Sequence, residues 1–373
     1  RCHINKNDEG DRFVGIKADS ENAMVYFPVG YQLPETDQEI RRDILHLISV
    51  LAEFTDKSDR VLAMKKFEAP QSVDFPINAY MEVINYYLEQ NSYYTEKEPV
   101  FKTSDRGSID WAKTIRKQRP LIQADGSPVY TEYTVRVSSP NDKNLITQIH
   151  KYCVYESFQK IGWLFTPDLP PKPTIEKNTK MFLSVLNDKL ARTNNDKDKR
   201  LFAAMIAVLQ YIDEQTNLKQ FYFGTDSFEY VWEKLIDRVY GIKDKYRYFP
   251  RTRWYLKGKV KENFALEPDS IMLYNGKIYV LDAKYYRYGI TGNPMHLPES
   301  SSINKQITYG EYIYTQERFK REYGEDVPVY NAFLMPYNSA KNVFGFDSIY
   351  GNIGEARGEW KSGNHDYERV QGI

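Results

Sequence analysis

The apolar positions of this chain change their period along its length, and the change separates helical from strand-forming stretches. Met24-Val25-Tyr26-Phe27-Pro28-Val29 is a strand-like run that ends in loop signals. Thr36, followed three residues later by Glu39, forms a capping-box pattern. It precedes Ile40, Ile44, Leu45, Leu47, Ile48 and Leu51, whose spacing predicts a helix with one apolar face. Further helices are expected over 78–90, 144–160, 176–190 and 198–215, with a strand over 128–137. The segment 104–120 reads as a turn followed by a basic helix or loop. Four prolines in the seven positions from Pro167 to Pro173 mark a linker. Beyond Gly224 helix and strand patterns mix. A helix is expected over 227–240, strands near 253–258, 268–274 and 277–283, a helix over 304–319 and a strand over 328–335. No internal repeat is visible.

This pattern predicts an α+β N-terminal domain over 1–166, a Pro-rich linker over 167–175, and a second domain over 176–373 with a helical lead-in and an α/β core. At 373 residues, 41% hydrophobic and 15% aromatic, the chain has material for two cores. Its 31 tyrosines combine an apolar ring with a polar tip, and suit cores, partner interfaces and nucleobase stacking alike. The 51 basic residues are matched by 51 acidic ones, so the total charge does not advertise a nucleic-acid binder. Any affinity for DNA has to come from local patches or from a partner. Cys2 and Cys153 are too few for a disulfide framework or a zinc site and suit a reducing compartment. The five histidines show no ligand spacing. No apolar run reaches the ~18 residues of a membrane span, and no signal-peptide pattern is visible. A bacterial or archaeal cytoplasmic location, with no membrane partner, is the expectation.

The chemistry concentrates in Glu267-Pro268-Asp269 and Asp282-Ala283-Lys284. Two apolar runs join them through Asn275-Gly276, both residues that tolerate positive φ in a two-residue hairpin turn. That turn pairs Tyr274 with Lys277, and the same register sets Asp269 across from Asp282 and Glu267 across from Lys284. Opposed side chains share a face, with Cβ atoms roughly 4.5–5.5 Å apart. Two carboxylates so close repel unless a cation lies between them, and Mg²⁺ takes one or two carboxylates together with waters and phosphate oxygens. Lys284 follows Asp282 by two residues and falls on the same face, while Ala283 turns to the core. Such a cation lowers the pKa of bound water and neutralises a scissile phosphate. Lys284 can position or deprotonate the attacking water, or stabilise the oxyanion. The plain alternative is an ordinary hairpin with a Glu267–Lys284 surface pair and two aspartates at its open end.

Pro268-Asp269 with Asp282-Ala283-Lys284 resembles the two halves of the PD-(D/E)xK nuclease motif, with Asp in the variable acid position. The upstream Phe228-Glu-Tyr-Val-Trp-Glu233-Lys-Leu and the downstream Asn304-Lys305-Gln306-Ile-Thr-Tyr309 resemble the flanking motifs of McrC-like and LlaJI-type restriction nucleases. Gly107-Ser-Ile-Asp-Trp111-Ala-Lys-Thr114-Ile is similar to a segment in the N-terminal region of those proteins. The resemblance covers about 225–335 and, more loosely, 104–165. It implies a restriction-endonuclease-like domain whose mixed central sheet is flanked by helices. By that resemblance Asp269 and Asp282 are metal ligands, Lys284 is the catalytic lysine, and Glu233 is a helix acid that assists the metal. Gln306 and Tyr309 match a helix beside the site that orients the lysine or a phosphate. The Gln–Tyr spacing differs by one residue from that of related recombination nucleases, and a buried pair that only satisfies hydrogen bonds is the competing reading.

Between Lys234 and Lys259 nine basic residues face two acids, Asp237 and Asp244, with aromatic residues interleaved. Lys245, Arg247, Arg251, Arg253 and Lys257 are therefore candidates for phosphate contact, and Tyr285 and Arg287, just past Lys284, for lining the cleft. A solvated charged face is the alternative. No phosphate-binding GxxxxGK[ST] loop is present, and no helix-turn-helix or zinc-finger signature. The resulting expectation is a Mg²⁺-dependent endonuclease of double-stranded DNA, with Mn²⁺ able to substitute. The resemblance makes it the cleavage subunit of a two-component restriction system driven by a separate McrB-like AAA+ GTPase, with a homodimer formed when both strands are cut. The alternatives are a stand-alone type II restriction enzyme, a repair or recombination nuclease, and a non-catalytic activator of a motor.

Overall fold

The computed structural model describes residues 1–18, 22–54, 75–214, 221–339 and 343–373. The chain is a mixed α/β protein that divides into two compact units, Arg1–Phe75 with Lys219–Ile373 and Pro76–Leu218. This division differs from the one expected at the prolines: residues 167–175 lie inside the second unit. The reason is packing. Thr179–Arg192 and Asp196–Glu214, expected to lead into the C-terminal domain, instead pack with Ile77–Gln90 and Leu145–Ile161. Met205, Val208 and Leu209 are sealed there, as are Tyr80, Val83 and Cys153. The last residue of the helix expected over 198–215 lies outside the described residues. The 128–137 alternation is realised as two pieces, Pro128–Val129 and Thr134–Asn141, the second pairing antiparallel with Glu96–Thr103. In the basic 104–120 segment, Asp110 accepts a 2.9 Å hydrogen bond from the Lys113 amide and caps a short helix, Trp111–Lys117.

The first unit carries the residues of interest. Its N-terminal part contributes β1 (Cys2–Ile4), β2 (Val14–Ala18) and β3 (Ala23–Phe27) to a four-stranded sheet of order β1-β3-β2-β4, where β4 is Phe221–Thr225. The capping box at Thr36 and Glu39 is formed, the Glu39 amide donating to the Thr36 hydroxyl at 3.3 Å, and α1 (Asp37–Phe54) follows. After β4 comes α2 (Phe228–Tyr240), then a separate antiparallel ribbon of β5 (Arg253–Leu256) and β6 (Lys259–Glu262).

The central sheet comprises β7 (Ser270–Tyr274), β8 (Lys277–Ala283), β9 (Val329–Leu334), β10 (Gly354–Arg357) and β11 (Arg369–Gly372), in the order β7-β8-β9-β11-β10. The outer pairs are antiparallel and the two inner pairs parallel, so the sheet is mixed. The connection from β8 to β9 includes two longer helices, α3 (Ser300–Thr315) and α4 (Glu317–Tyr323), after two single turns at Tyr288–Thr291 and Pro294–His296. The single helix expected over 304–319 is divided by Gln316, whose extended ψ of 124° ends the first helix. Ile271, Ile278 and Val280 form one core with Tyr309 and Ile313 of α3 and Phe319 of α4. Parallel pairing needs such a crossover, and the crossover covers the sheet face it returns over.

Gly310 lets α3 approach the sheet. A Cβ there would stand 2.7 Å from both Asn331 Nδ2 and Tyr367 Cβ. Alanine is favoured over glycine within a helix by about 1 kcal/mol, whereas overpacking a tight contact costs about 1–3 kcal/mol. Gly310→Ala is expected to lower stability in a denaturant melt despite its better helix propensity; an unchanged or raised midpoint would show that the helix has room to move.

Candidate active site

The β7–β8 hairpin turns at Asn275 and Gly276, with φ of 48° and 71°. Both lie in the left-handed region that the right-handed twist of a two-residue hairpin demands. Tyr274 pairs with Lys277 and Ser270 with Leu281, the register expected from the turn. One step beyond the ladder, Asp269 Oδ2 accepts a 2.8 Å hydrogen bond from the Ala283 amide. The two aspartates thus meet at the open end of the hairpin, on the face of Ile271, Ile278 and Val280 by the two-residue period. Along β8 that face runs apolar, apolar, acidic: Ile278, Val280, Asp282. Lys284 continues it beyond the strand. Its amide donates to the Leu334 carbonyl at 2.9 Å, extending the parallel ladder with β9.

Lys284 Nζ lies 2.5 Å from Asp282 Oδ2. The Asp282 side chain is almost fully buried and that of Lys284 about four-fifths buried, 18% remaining exposed. The ion pair is therefore a shielded one. It replaces the Glu267–Lys284 surface pair of the plain reading: Glu267 is exposed, and its backbone carbonyl accepts a 3.1 Å hydrogen bond from the Tyr309 hydroxyl.

Asp269 is the unsettled charge. Burial pushes its carboxyl up to about 7, and the Asp282 and Glu233 carboxylates push the same way, against the Ala283 amide and Lys284. Glu233, on α2, thus acts on Asp269 across space. Among the described residues no three His, Cys, Asp or Glu side chains gather tightly enough to hold a metal by themselves, so Glu233 stands beside the aspartate pair rather than closing a trio with it. Lys284 pairs with Asp282, and Asp269 lies beside that pair with its carboxyl raised. Two such carboxylates suit a divalent cation that takes two protein carboxylates and completes its shell with water and phosphate oxygens.

Gln306 and Tyr309 sit one turn apart on α3 and grip the hairpin through its backbone. Gln306 Nε2 donates to the Val280 carbonyl at 2.6 Å, and both side chains are buried. The Tyr309 hydroxyl is pushed above its ordinary range by burial, with Asp282 and Asp269 adding to the effect. Sequence reasoning missed a third positioning residue. Lys245 donates to the Asp269 carbonyl at 2.8 Å while pairing with Asp237 at 2.6 Å. Its place in the basic run suggests phosphate contact, but its ammonium is already engaged in holding the backbone at Asp269.

The other cations expected at DNA divide. Arg247 pairs with Glu322 at 2.5 Å and Arg253 with Glu262 at 2.7 Å. Arg251 and Lys257 are exposed. Arg287 pairs with Asp8 at 3.3 Å and donates to His296 Nε2 at 2.7 Å. Tyr285 lines an apolar pocket with Val29, Phe228 and Trp232, not the open end of the hairpin. It is buried against Phe228 and Trp232, and its hydroxyl accepts a 2.7 Å hydrogen bond from the Val29 amide. Past Lys284 the chain has left the open end of the hairpin and entered the core beside β3.

Known proteins bear on this geometry. No curated protein matches the chain. Among solved structures, a half-complex from a tetradecameric assembly of Thermococcus gammatolerans McrB AAA+ hexamers with bound McrC matches at 16% identity, over 97% of this chain and 77% of that chain, with a TM-score of 0.41. The Thermococcus gammatolerans McrBC complex matches at 18% identity, over 61% of this chain and 65% of that chain, with a TM-score of 0.24. A family model for the LlaJI restriction endonuclease matches residues 13–353, which takes in the hairpin, both helices beside it and the whole second unit. The chain belongs to the LlaJI restriction endonuclease family.

Proposed function

We propose that this chain is a Mg²⁺-dependent DNA endonuclease of the PD-(D/E)xK type, cutting at the open end of the β7–β8 hairpin. The observation that carries the reading is the meeting of Asp269, Asp282 and Lys284 there, with the Asp269 carboxyl raised beside the Asp282–Lys284 pair. Asp269 and Asp282 would hold the cation, with Glu233 assisting, and Mn²⁺ would substitute. A divalent cation bound there supplies charge neutralisation at the scissile phosphate and a lowered pKa for the attacking water. Asp282 orients Lys284 through the 2.5 Å pair. Lys284 in turn orients the water or stabilises charge developing on the phosphate oxygens. Gln306, Tyr309 and Lys245 hold the strands that present the acids. The partner we propose, a separate McrB-like AAA+ GTPase, follows from the sequence resemblance to McrC-like nucleases; McrC is bound to McrB hexamers in the Thermococcus gammatolerans assembly. Pairing of two copies would supply two centres for the two strands.

Plasmid cleavage tests the reading. With Mg²⁺, the McrB-like partner and GTP, the wild type is expected to cut, and Lys284→Ala to lose about 10²-fold or more. Removing Lys284 also strips a buried carboxylate of its counter-ion, so a melt run alongside separates lost chemistry from lost folding. Equal cutting by a folded Lys284→Ala protein would defeat the proposal. Cutting by the wild type without partner or GTP would keep the nuclease and remove the two-component assignment.

Metal binding has a readout free of activity. A carboxyl whose folded pKa is raised stabilises the fold below its ordinary value and loses that contribution as pH rises through the folded value. For Asp269 the window runs from 3.8 to about 7. In metal-free buffer the melting temperature is expected to fall across that window and level off above it, and Asp269→Asn to remove most of that fall. Mg²⁺ or Ca²⁺ is expected to restore wild-type stability at pH 8 but not to stabilise the variant. No cation-dependent shift at millimolar concentrations would count against the site.

A further inference from the structure

The β5–β6 ribbon stands apart from every core of the first unit. Among the described residues it pairs with no other strand, and all eight of its residues are exposed. A two-stranded hairpin of this kind is marginal in water. Here its base is braced by two backbone bonds: Asn263 donates to the Thr252 carbonyl at 3.0 Å and Leu266 to the Pro250 carbonyl at 2.8 Å. The register puts Trp254 opposite Lys261 and Leu256 opposite Lys259, so these four residues share one face. That face holds a tryptophan that is 59% exposed, a leucine that is 43% exposed, two lysines and no acid. Neither lysine has a carboxylate partner among the described residues. On the opposite face Arg253 pairs with Glu262 beside Tyr255 and Val260. There Arg253 and Tyr255, together with Arg251, border a depression shared with Tyr312 and Arg318 of the α3–α4 region.

Packing within the chain gives no reason for such an element. Large apolar side chains left in water usually mark a contact surface, and charge decides what it contacts. From Arg251 to Glu262 there are five cations and one acid, in a chain whose total charge is zero. The acid is already paired with Arg253. Six residues after the ribbon ends, the chain reaches Pro268-Asp269. The complement to this surface is therefore a polyanion presented at the cutting centre.

We propose that the β5–β6 ribbon enters the major groove of the duplex substrate, with Trp254, Leu256, Lys259 and Lys261 as its contact face. This rests on the nuclease reading and adds the part of the chain that grips the duplex. The major groove, about 12 Å wide, admits a two-stranded ribbon in an undeformed duplex, whereas the minor groove, about 6 Å wide, has to be opened by bending to take one. Lys259 and Lys261 neutralise phosphates flanking the groove, and Trp254 and Leu256 pack against base edges and thymine methyl groups. Lys245, tied to Asp269 and Asp237, takes no part.

The test is binding of the full-length chain to a fluorescent 30-base-pair duplex in Ca²⁺, followed by anisotropy across a salt series. Lys259→Ala/Lys261→Ala is expected to weaken binding at least tenfold and to flatten the dependence of log affinity on log salt by about 1.8, since each phosphate contact contributes roughly 0.9. Trp254→Ala is expected to weaken binding while leaving that slope in place. Both variants should melt with the wild type, because the ribbon is exposed on both faces. A duplex whose pyrimidines carry bulky groups at C5, filling the major groove, is expected to bind at least tenfold more weakly. Wild-type affinity and slope in the double variant, indifference to the C5 groups, or no binding by the wild type at low salt would each overturn the proposal. So would variants that bind DNA normally but fail to self-associate or to join the AAA+ partner in sedimentation, which would make the ribbon a protein-docking element. Plasmid cutting that depends on Lys284 would leave the nuclease reading standing in all of these cases.

Discussion

The site depends on one backbone constraint, the two-residue turn at Asn275-Gly276. Both residues take positive φ, and this sets the pairing of every residue from Ser270 to Ala283. A slip of a single residue would turn each side chain to the opposite face of the sheet. Asp269 would then lose the Ala283 amide, and Asp282 and Lys284 would exchange places with core residues such as Ala283. The apolar pattern guards against the slip. Ile271, Ile278 and Val280 are fully buried beneath α3 and α4 in this register and would be exposed in the other.

Beyond that register, the electrostatics follow from position. The acids lie where the core face of β8 runs out of apolar residues and has not yet met solvent. Burial there raises the cost of each charge. Lys284 offsets Asp282 directly, while Asp269 is left facing two further carboxylates with an amide as its nearest compensation. The site is held in place from behind. Gln306 and Tyr309 fasten the hairpin to α3, and Lys245 fastens Asp269 to the end of α2. None of these three contacts involves a side chain of the aspartate pair, so the supports fix geometry without neutralising charge.

A similar division of labour runs through the basic residues. Lys245, Arg247 and Arg287 are each engaged with acids of their own unit. Lys257, Lys259 and Lys261 stand on or beside a ribbon that is exposed among the described residues. In the linear sequence all of these but Arg287 belong to a single run of positive charge. In space one group braces the fold and the other projects from it.

What the sequence determined by itself was local: the capping box at Thr36, the helix that ends at Tyr240, the hairpin with its register, and through that register the meeting of Asp269, Asp282 and Lys284. Each depends on residues within a few positions of one another, where period and turn chemistry are decisive. The tertiary structure decided what depended on distant partners. Helices beyond the prolines joined the Pro76–Leu218 unit because their apolar faces found Ile77–Gln90 and Leu145–Ile161. The N-terminal strands joined the unit that carries the hairpin through β2 and β4, which lie some two hundred residues apart. Tyr285 sank into the core beside Val29, and Lys245 turned from substrate to scaffold, because the groups that claimed them come from remote parts of the chain. A charge or an aromatic ring announces its chemistry in sequence, but its partner is chosen by packing.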